Sequence, residues 1–385
     1  MRRRLMLGGG ALAVIFGALT GFGWSSDPTQ SSFSYLMAFM VVFSTVIGTL
    51  IWLMIGHAAN VTWFVPLRRS AEVVIGALPL FILLFVPVLL SISSLYPWSH
   101  PQTLSEEARQ LVLQKRAMLN VPGFVTRALG YLTLLALVGE LLRRWSLQQD
   151  RGRARALRRR MVALGAGGLP LVAVVLTLAS FDWLLGLEPT FYDDMYGVYV
   201  FAGGFVSALG LFGLMTVAGR RRVLLPNSIS AEHLHAIGRL QLAMIIFWTY
   251  IAWAQLMLMW VADLPKEVTW YIARWHGGWQ WLGLLLLVVH WLIPFFWLLS
   301  RPLKRNPGTF AFMSGWIVVV HWVDVFYLVQ PALHPKSFHL DWRDAAATLA
   351  LASAVVAFAA WRAKSMAPVP TRDPLLAEGL TYEHA

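Results

Sequence analysis

Apolar residues run along this chain in long blocks separated by short polar segments. A block needs about twenty residues to cross the roughly 30 Å of hydrocarbon in a bilayer. Such blocks fall near 5–23, 33–58, 71–95, 121–142, 161–184, 196–219, 236–263, 276–300, 309–330 and 342–363. The pattern predicts an all-α integral membrane protein of about ten transmembrane helices. The first block follows three arginines and leaves through a Gly/Ser/Thr-rich stretch, which is also the outline of a signal peptide. No clean small-x-small cleavage site follows, so a retained span is expected. Cleavage would leave nine spans with the others oriented alike.

Two short matches recur in the same order. Ser70-Ala71-Glu72 opens the third block and Ser230-Ala231-Glu232 opens the seventh. Asp182 and Pro189 close the fifth, and Asp324 and Pro331 close the ninth at the same spacing of seven. Each match marks the same end of a span in both copies. The expected organisation is a single membrane domain over 1–385 built as a parallel repeat. One four-helix bundle covers 33–190 (spans 2–5) and a second covers 196–331 (spans 6–9). Two helices flank them, and 364–385 form a tail.

Composition changes the class of chemistry open to the chain. Of 385 residues, 58% are hydrophobic and 13% charged, against about a quarter charged in a soluble domain. The 19 tryptophans suit a membrane boundary. There are no cysteines. That excludes disulfides, thiolate zinc, Cys-ligated iron–sulfur clusters and covalent c-type haem. Two histidines at facing depths on two helices, as b-haem needs, do not stand out, and no metal site is expected.

The net charge of +12 could suggest nucleic acid, but its distribution does not. Alternate loops split 22 basic residues against six: Arg109, Lys115, Arg116, Lys266, Arg274 and Lys336. Positive charge collects on the cytoplasmic side of membrane proteins. Both termini are therefore expected in the cytoplasm, and nucleic acid is not a partner.

Ionisable groups inside spans are costly and usually face a bundle interior. At the cytoplasmic ends lie Glu72, Glu140, Glu232, His235 and Arg239. Near mid-membrane lie Tyr250 and His290, and toward the far side Asp182, His321, Asp324 and Tyr327. His321 and Asp324 share a helix face. All of these except Tyr327 are candidates for a proton path, since a histidine flanked by carboxylates can relay protons. Asp182, Asp324, His321 and Tyr327 are candidates for a quinone site.

Plainer readings stand beside these. Glu72, Glu140 and Glu232 sit near span ends, where water or Arg68, Arg144 or Arg239 can neutralise them. His290 alone suits an interhelical hydrogen bond. Trp248, Trp253, Met257, Met259 and Trp260 suit packing and interface anchoring. Arg127 needs a partner, and Asp182 matches it in depth.

Six segments carry a resemblance: FSYLMAF (33–39), FDWLLGLEPTFYDDMYGVYVFAGGF (181–205), EHLHAIGRLQLAMIIFWTYIAWAQ (232–255), HWLIPFFWLLSRPLKRNP (290–307), HWVDVFYLVQPAL (321–333) and VPTRDPLLAEGLTYEH (369–384). Together they resemble the F subunit of bacterial alternative complex III, of the NrfD-like, polysulfide-reductase-type membrane family. The resemblance spans nearly the whole chain and is weaker at the N-terminus and the first loops. It implies a non-redox inner-membrane subunit of a respiratory quinol:electron-acceptor oxidoreductase, anchoring the complex and contributing a quinone environment and a proton path. It also implies partners: a multihaem cytochrome c, an iron–sulfur/molybdopterin-like subunit, and a paralogous NrfD-like C subunit, usually assigned quinol oxidation. Haem and iron–sulfur clusters would sit on those partners; quinone, quinol and membrane lipids are the expected small molecules. Three rivals stay open: a directly quinol-oxidising subunit, a purely structural anchor, and a secondary transporter. The last expects spans broken at corresponding places in both halves, with Pro87 and Pro294 as candidate breaks; the blocks here read as continuous.

Overall fold

The computed structural model describes residues 2–152, 154–221 and 229–383. Arg153 and Arg222 of the basic loops and the last two residues of the tail lie outside the described residues, as do the side chains of Arg221 and Lys266. Among the described residues there is no strand, and nine helices are long and apolar enough to cross a membrane; a bent pair makes a tenth. The protein is a multi-pass, all-α membrane protein.

Helix α1 (Arg2–Ser26) is followed by α2 (Pro28–Ala58). Asp27 caps α2 by accepting from the Gln30 amide at 3.0 Å, and Pro28 supplies the first helical position. The third span is not the continuous helix that the apolar run predicts. It breaks into α3 (Arg68–Ile75), α4 (Leu80–Leu84), α5 (Val86–Leu90) and α6 (Ile92–Leu95), with a 41° bend between Ile75 and Leu80. Gly76, Pro79 and Pro87 lie at or beside these breaks, where a proline removes a helical donor and crowds the preceding turn.

A polar segment with α7 (Glu106–Gln114) leads to α8 (Val121–Gln149) and α9 (Ala154–Trp183). The second half repeats the scheme with α10 (Tyr196–Arg221), α11 (Ala231–Ala262) and the short α12 (Pro265–Arg274). Its next span is α13 (Trp279–Leu286), a π-helical turn at 287–292 and α14 (Ile293–Leu299). Then come α15 (Arg301–Arg305), α16 (Pro307–Leu333), α17 (Trp342–Arg362) and α18 (Leu376–Leu380) in the tail.

Packing sorts these helices. In the first half α2 packs on α9 and α3, and α8 packs on α9; in the second, α10 packs on α16 and α11, and α13 packs on α16. The leading helices α2 and α10 lie side by side at the centre and are almost wholly buried. Small residues allow it. A Cβ on Gly48 would stand 2.5 Å from the Gly204 carbonyl, and one on Gly204 would stand 2.7 Å from that of Ser44. Thr45 and Ser207 hydroxyls bond across the same crossing at 2.8 Å. On the periphery α1 packs along α17 and leaves Leu12, Val14, Ile15 and Phe22 exposed.

Both ends of the chain lie at the basic end of the bundle. Arg2 donates to the Ala363 and Met366 carbonyls at 2.7 and 2.6 Å, and Asp373 of the tail pairs with Arg68. The tail also crosses to the second half. His233 bonds the Gly379 carbonyl at 3.0 Å, and the Tyr382 ring lies between Trp63 and His233.

Candidate functional site

The acids at the basic end are neutralised. Glu72 is fully buried and sits between Arg69 at 2.5 Å, Arg68 at 3.2 Å and the Ser146 hydroxyl at 2.6 Å. Arg68 also holds Asp373 and Gln149, and Arg69 holds Asp150. Glu140 accepts from Arg144 at 2.8 Å and Arg362 at 2.7 Å. Glu232 pairs with Arg305 rather than with Arg239. The repeated Ser-Ala-Glu thus has two environments. Ser230 caps α11 in a box with His233, whereas Ser70 lies inside α3.

Two mid-membrane and inner candidates are not in the interior. Tyr250 is 64% exposed, on the outward face of α11 beside Trp253, Met257 and Trp260. Its ring therefore lies on the outer surface of the bundle, away from the buried residues of the second half. Arg239 is exposed, and His235 is partly exposed near Lys304.

The repeated aspartates carry the main contrast between the halves. Asp182, at the far end of α9, takes both carboxylate oxygens to Arg127 of α8 at 2.8 Å each, and Tyr131 donates to it at 3.1 Å. This is the partner that depth alone suggested, and the two-pronged pairing is a strong form of ion pair. Asp324, at the matching place on α16, is buried, and no cation pairs with it among the described residues except where His321 is charged. Tyr199 of α10 donates to it at 2.5 Å. His321 Nδ1 stands 3.8 Å from its other oxygen, and His321 Nε2 lies 2.8 Å from the Ser44 hydroxyl of α2.

Three helices therefore meet at this point. Gly203 makes the approach of α10 possible, since a Cβ there would stand 2.8 Å from Asp324 Oδ2. A cavity of about 10 Å³ lies among Ser44, His321, Asp324, Leu184, Val200 and Leu328. That is room for about one water, placed where His321 and Asp324 are too far apart for a direct hydrogen bond.

Deeper in the second bundle, His290 is fully buried on the π-helical turn. Its ring lies 3.8 Å from that of Trp248, which lies 5.6 Å from that of Tyr199. Neither His290 nitrogen has a hydrogen-bond partner among the described residues. The widened turn frees the Val289 carbonyl, which takes Trp316 Nε1 at 2.8 Å.

Sequence reasoning missed four groups. Tyr199 hides in an apolar run; its spacing of four from Gly203 is the one available signal. Arg274 reads as a loop charge but is fully buried, stacked 3.5 Å over Trp270 and bonded to Glu188 at 3.1 Å and to the carbonyls of Tyr327 and Leu328. Tyr327, a quinone candidate, thus serves Arg274 through its backbone. Asp344 reads as an ordinary helix-start acid, yet it is fully buried and accepts from Ser34 at 2.6 Å and Gln330 at 2.7 Å. Asp193, in the segment before α10, accepts from the Met195 amide and from Gln255. Burial pushes its carboxyl up to about 6.

No group of three or more His, Cys, Asp or Glu able to hold a metal occurs among the described residues. No family model matches the chain, and no curated protein matches it. The geometry of Asp324 and its neighbours is the site to be explained.

Proposed function

We propose that this chain is a membrane subunit of a respiratory quinol:electron-acceptor oxidoreductase of the alternative complex III type, and that its second bundle carries protons. The carrying observation is the asymmetry of the repeat: Asp182 is held by an arginine, whereas the polar side chains next to Asp324 among the described residues are Tyr199 and His321. A buried carboxyl without a fixed counter-ion can gain and lose a proton without breaking an ion pair. One water in the adjoining cavity would join it to His321 and on to Ser44. Asp182 in its Arg127 clamp serves as structure.

In this reading the basic face is cytoplasmic, the membrane is the bacterial inner membrane, and haem and iron–sulfur clusters belong to partner subunits. The partners are a multihaem cytochrome c, an iron–sulfur/molybdopterin-like subunit and a paralogous C subunit. Quinol chemistry is assigned in this reading to the paralogue, because the cavity beside Asp324 has room for about one water and none for a quinone ring. Against the transporter alternative, the bend of the third span and the π turn of the eighth fall on the second helix of one half and the third of the other, where a parallel repeat expects corresponding helices.

The test is quinol-driven proton uptake in membranes carrying Asp324→Asn or His321→Ala, with Asp182→Asn as the comparison. Loss of a positioned proton-transfer group costs about a hundredfold or more, so uptake should collapse in the first two and persist in the third. Equal uptake in all three would sink the relay. Co-purification of the intact chain without any haem or iron–sulfur subunit would sink the assignment to the complex.

A further inference from the structure

The end of the molecule opposite the basic one has few cations, and two of them are engaged. Arg274 is buried against Glu188. Lys115 donates to the Pro189 carbonyl at 2.9 Å and stands 3.7 Å over the Tyr192 ring. Arg109 and Arg116 differ. Both are exposed, and both line one cavity of about 330 Å³ between the turns at 97–103, α7 and the start of α8. Arg109 has an ion pair with Glu106 at 3.7 Å with both groups in solvent, a contact that contributes little. Arg116 makes no ion pair among the described residues. Among the described residues no carboxylate lines the cavity; its remaining wall includes Trp98, Val112, Leu113 and Val121, with Ser99, Gln102 and Asn120.

Depth and surroundings narrow the ligand. The third span ends at Leu95 and α8 begins at Val121, so the cavity sits level with span ends, where headgroups lie. Two of its apolar lining residues are exposed, Leu113 at 45% and Val121 at 42%. Further along α8, Leu129 and Leu137 keep the outer face of the helix apolar and exposed. Arg116, without an ion pair among the described residues, and Arg109, held only by a solvent-exposed contact to Glu106, stand above an apolar wall. Guanidinium forks suit phosphate oxygens. We propose that this cavity binds an anionic phospholipid of the leaflet, its phosphate between Arg109 and Arg116 and an acyl chain along α8.

The test is native mass spectrometry of the detergent-solubilised full chain, offered dioleoylphosphatidylglycerol, dioleoylphosphatidylcholine or inorganic phosphate. Each basic group near an anionic headgroup contributes about 1 kcal/mol, so retention should favour phosphatidylglycerol by about tenfold or more. The double variant R109Q/R116Q should bring phosphatidylglycerol down to the phosphatidylcholine level, and K336Q, at an exposed lysine on the same face, should leave the preference intact. Equal retention of the two lipids, or an unchanged preference in the double variant, would overturn the proposal. So would inorganic phosphate displacing the lipid, which would make this a site for the free anion.

Discussion

Asp182 and Asp324 stand at matching places in the two halves and differ in what neutralises them. The difference predicts opposite phenotypes. Asp182→Asn leaves Arg127 without its acid and should destabilise the chain by about 2 kcal/mol, less than a fully buried pair because Arg127 is a quarter exposed. Thermal unfolding in detergent reads this; an unchanged midpoint would refute the clamp. Gly203→Ala acts at the other aspartate. Its methyl would have to push into Asp324 Oδ2 at 2.8 Å. The variant should lose proton uptake together with about 1–3 kcal/mol of stability, as overpacking does. Retained uptake at wild-type level would show that the Tyr199–Asp324–His321 geometry is not needed.

Single residues also mark how far the chain could be read without its fold. Asp182, His321 and Asp324 were visible because a charge inside an apolar run is conspicuous. Their partners were not. Tyr199 and Ser44 come from other helices, and nothing along the chain says which helix faces which. Arg274 looked like a loop charge because burial in a short connecting segment leaves no apolar signature.

At the level of elements, hydrophobic length gave nine continuous spans and failed at the third. Apolarity is blind to Gly76, Pro79 and Pro87 acting in concert, since each alone is tolerated in a membrane helix. The segment between α9 and α10 offers a pH test. The folded chain holds Asp193 protonated up to about 6 against an ordinary 3.8. Between those values the folded state binds more protons than the unfolded one, so stability falls as pH rises through the window. Unfolding midpoints measured from pH 4 to 7 should drop for the wild type and drop less steeply for Asp193→Asn. Parallel profiles would show that Asp193 is solvated.

For the whole molecule, the absence of cysteine makes orientation directly measurable. Thr103 and Gln148 are exposed at opposite ends of the bundle. In intact cells T103C should react with a membrane-impermeant maleimide, and Q148C only after lysis; the reverse pattern would invert the topology. Removing Asp373 tests the other global feature, the tail that spans both halves. Asp373→Ala withdraws the acid from a buried Arg68 and should cost about 3 kcal/mol.

That contact also has a meaning in time. Asp373 is synthesised 305 residues after Arg68, the group it neutralises. As the spans emerge one by one, the arginines at the mouth of the first bundle have Glu72 and Asp150 but lack this acid. Water or anionic headgroups must screen them until the tail folds back. Asp373 can cover Arg68 only once the tail has been made, so a chain cut before residue 373 differs from a complete one by an arginine at the mouth of the first bundle that lacks this acid.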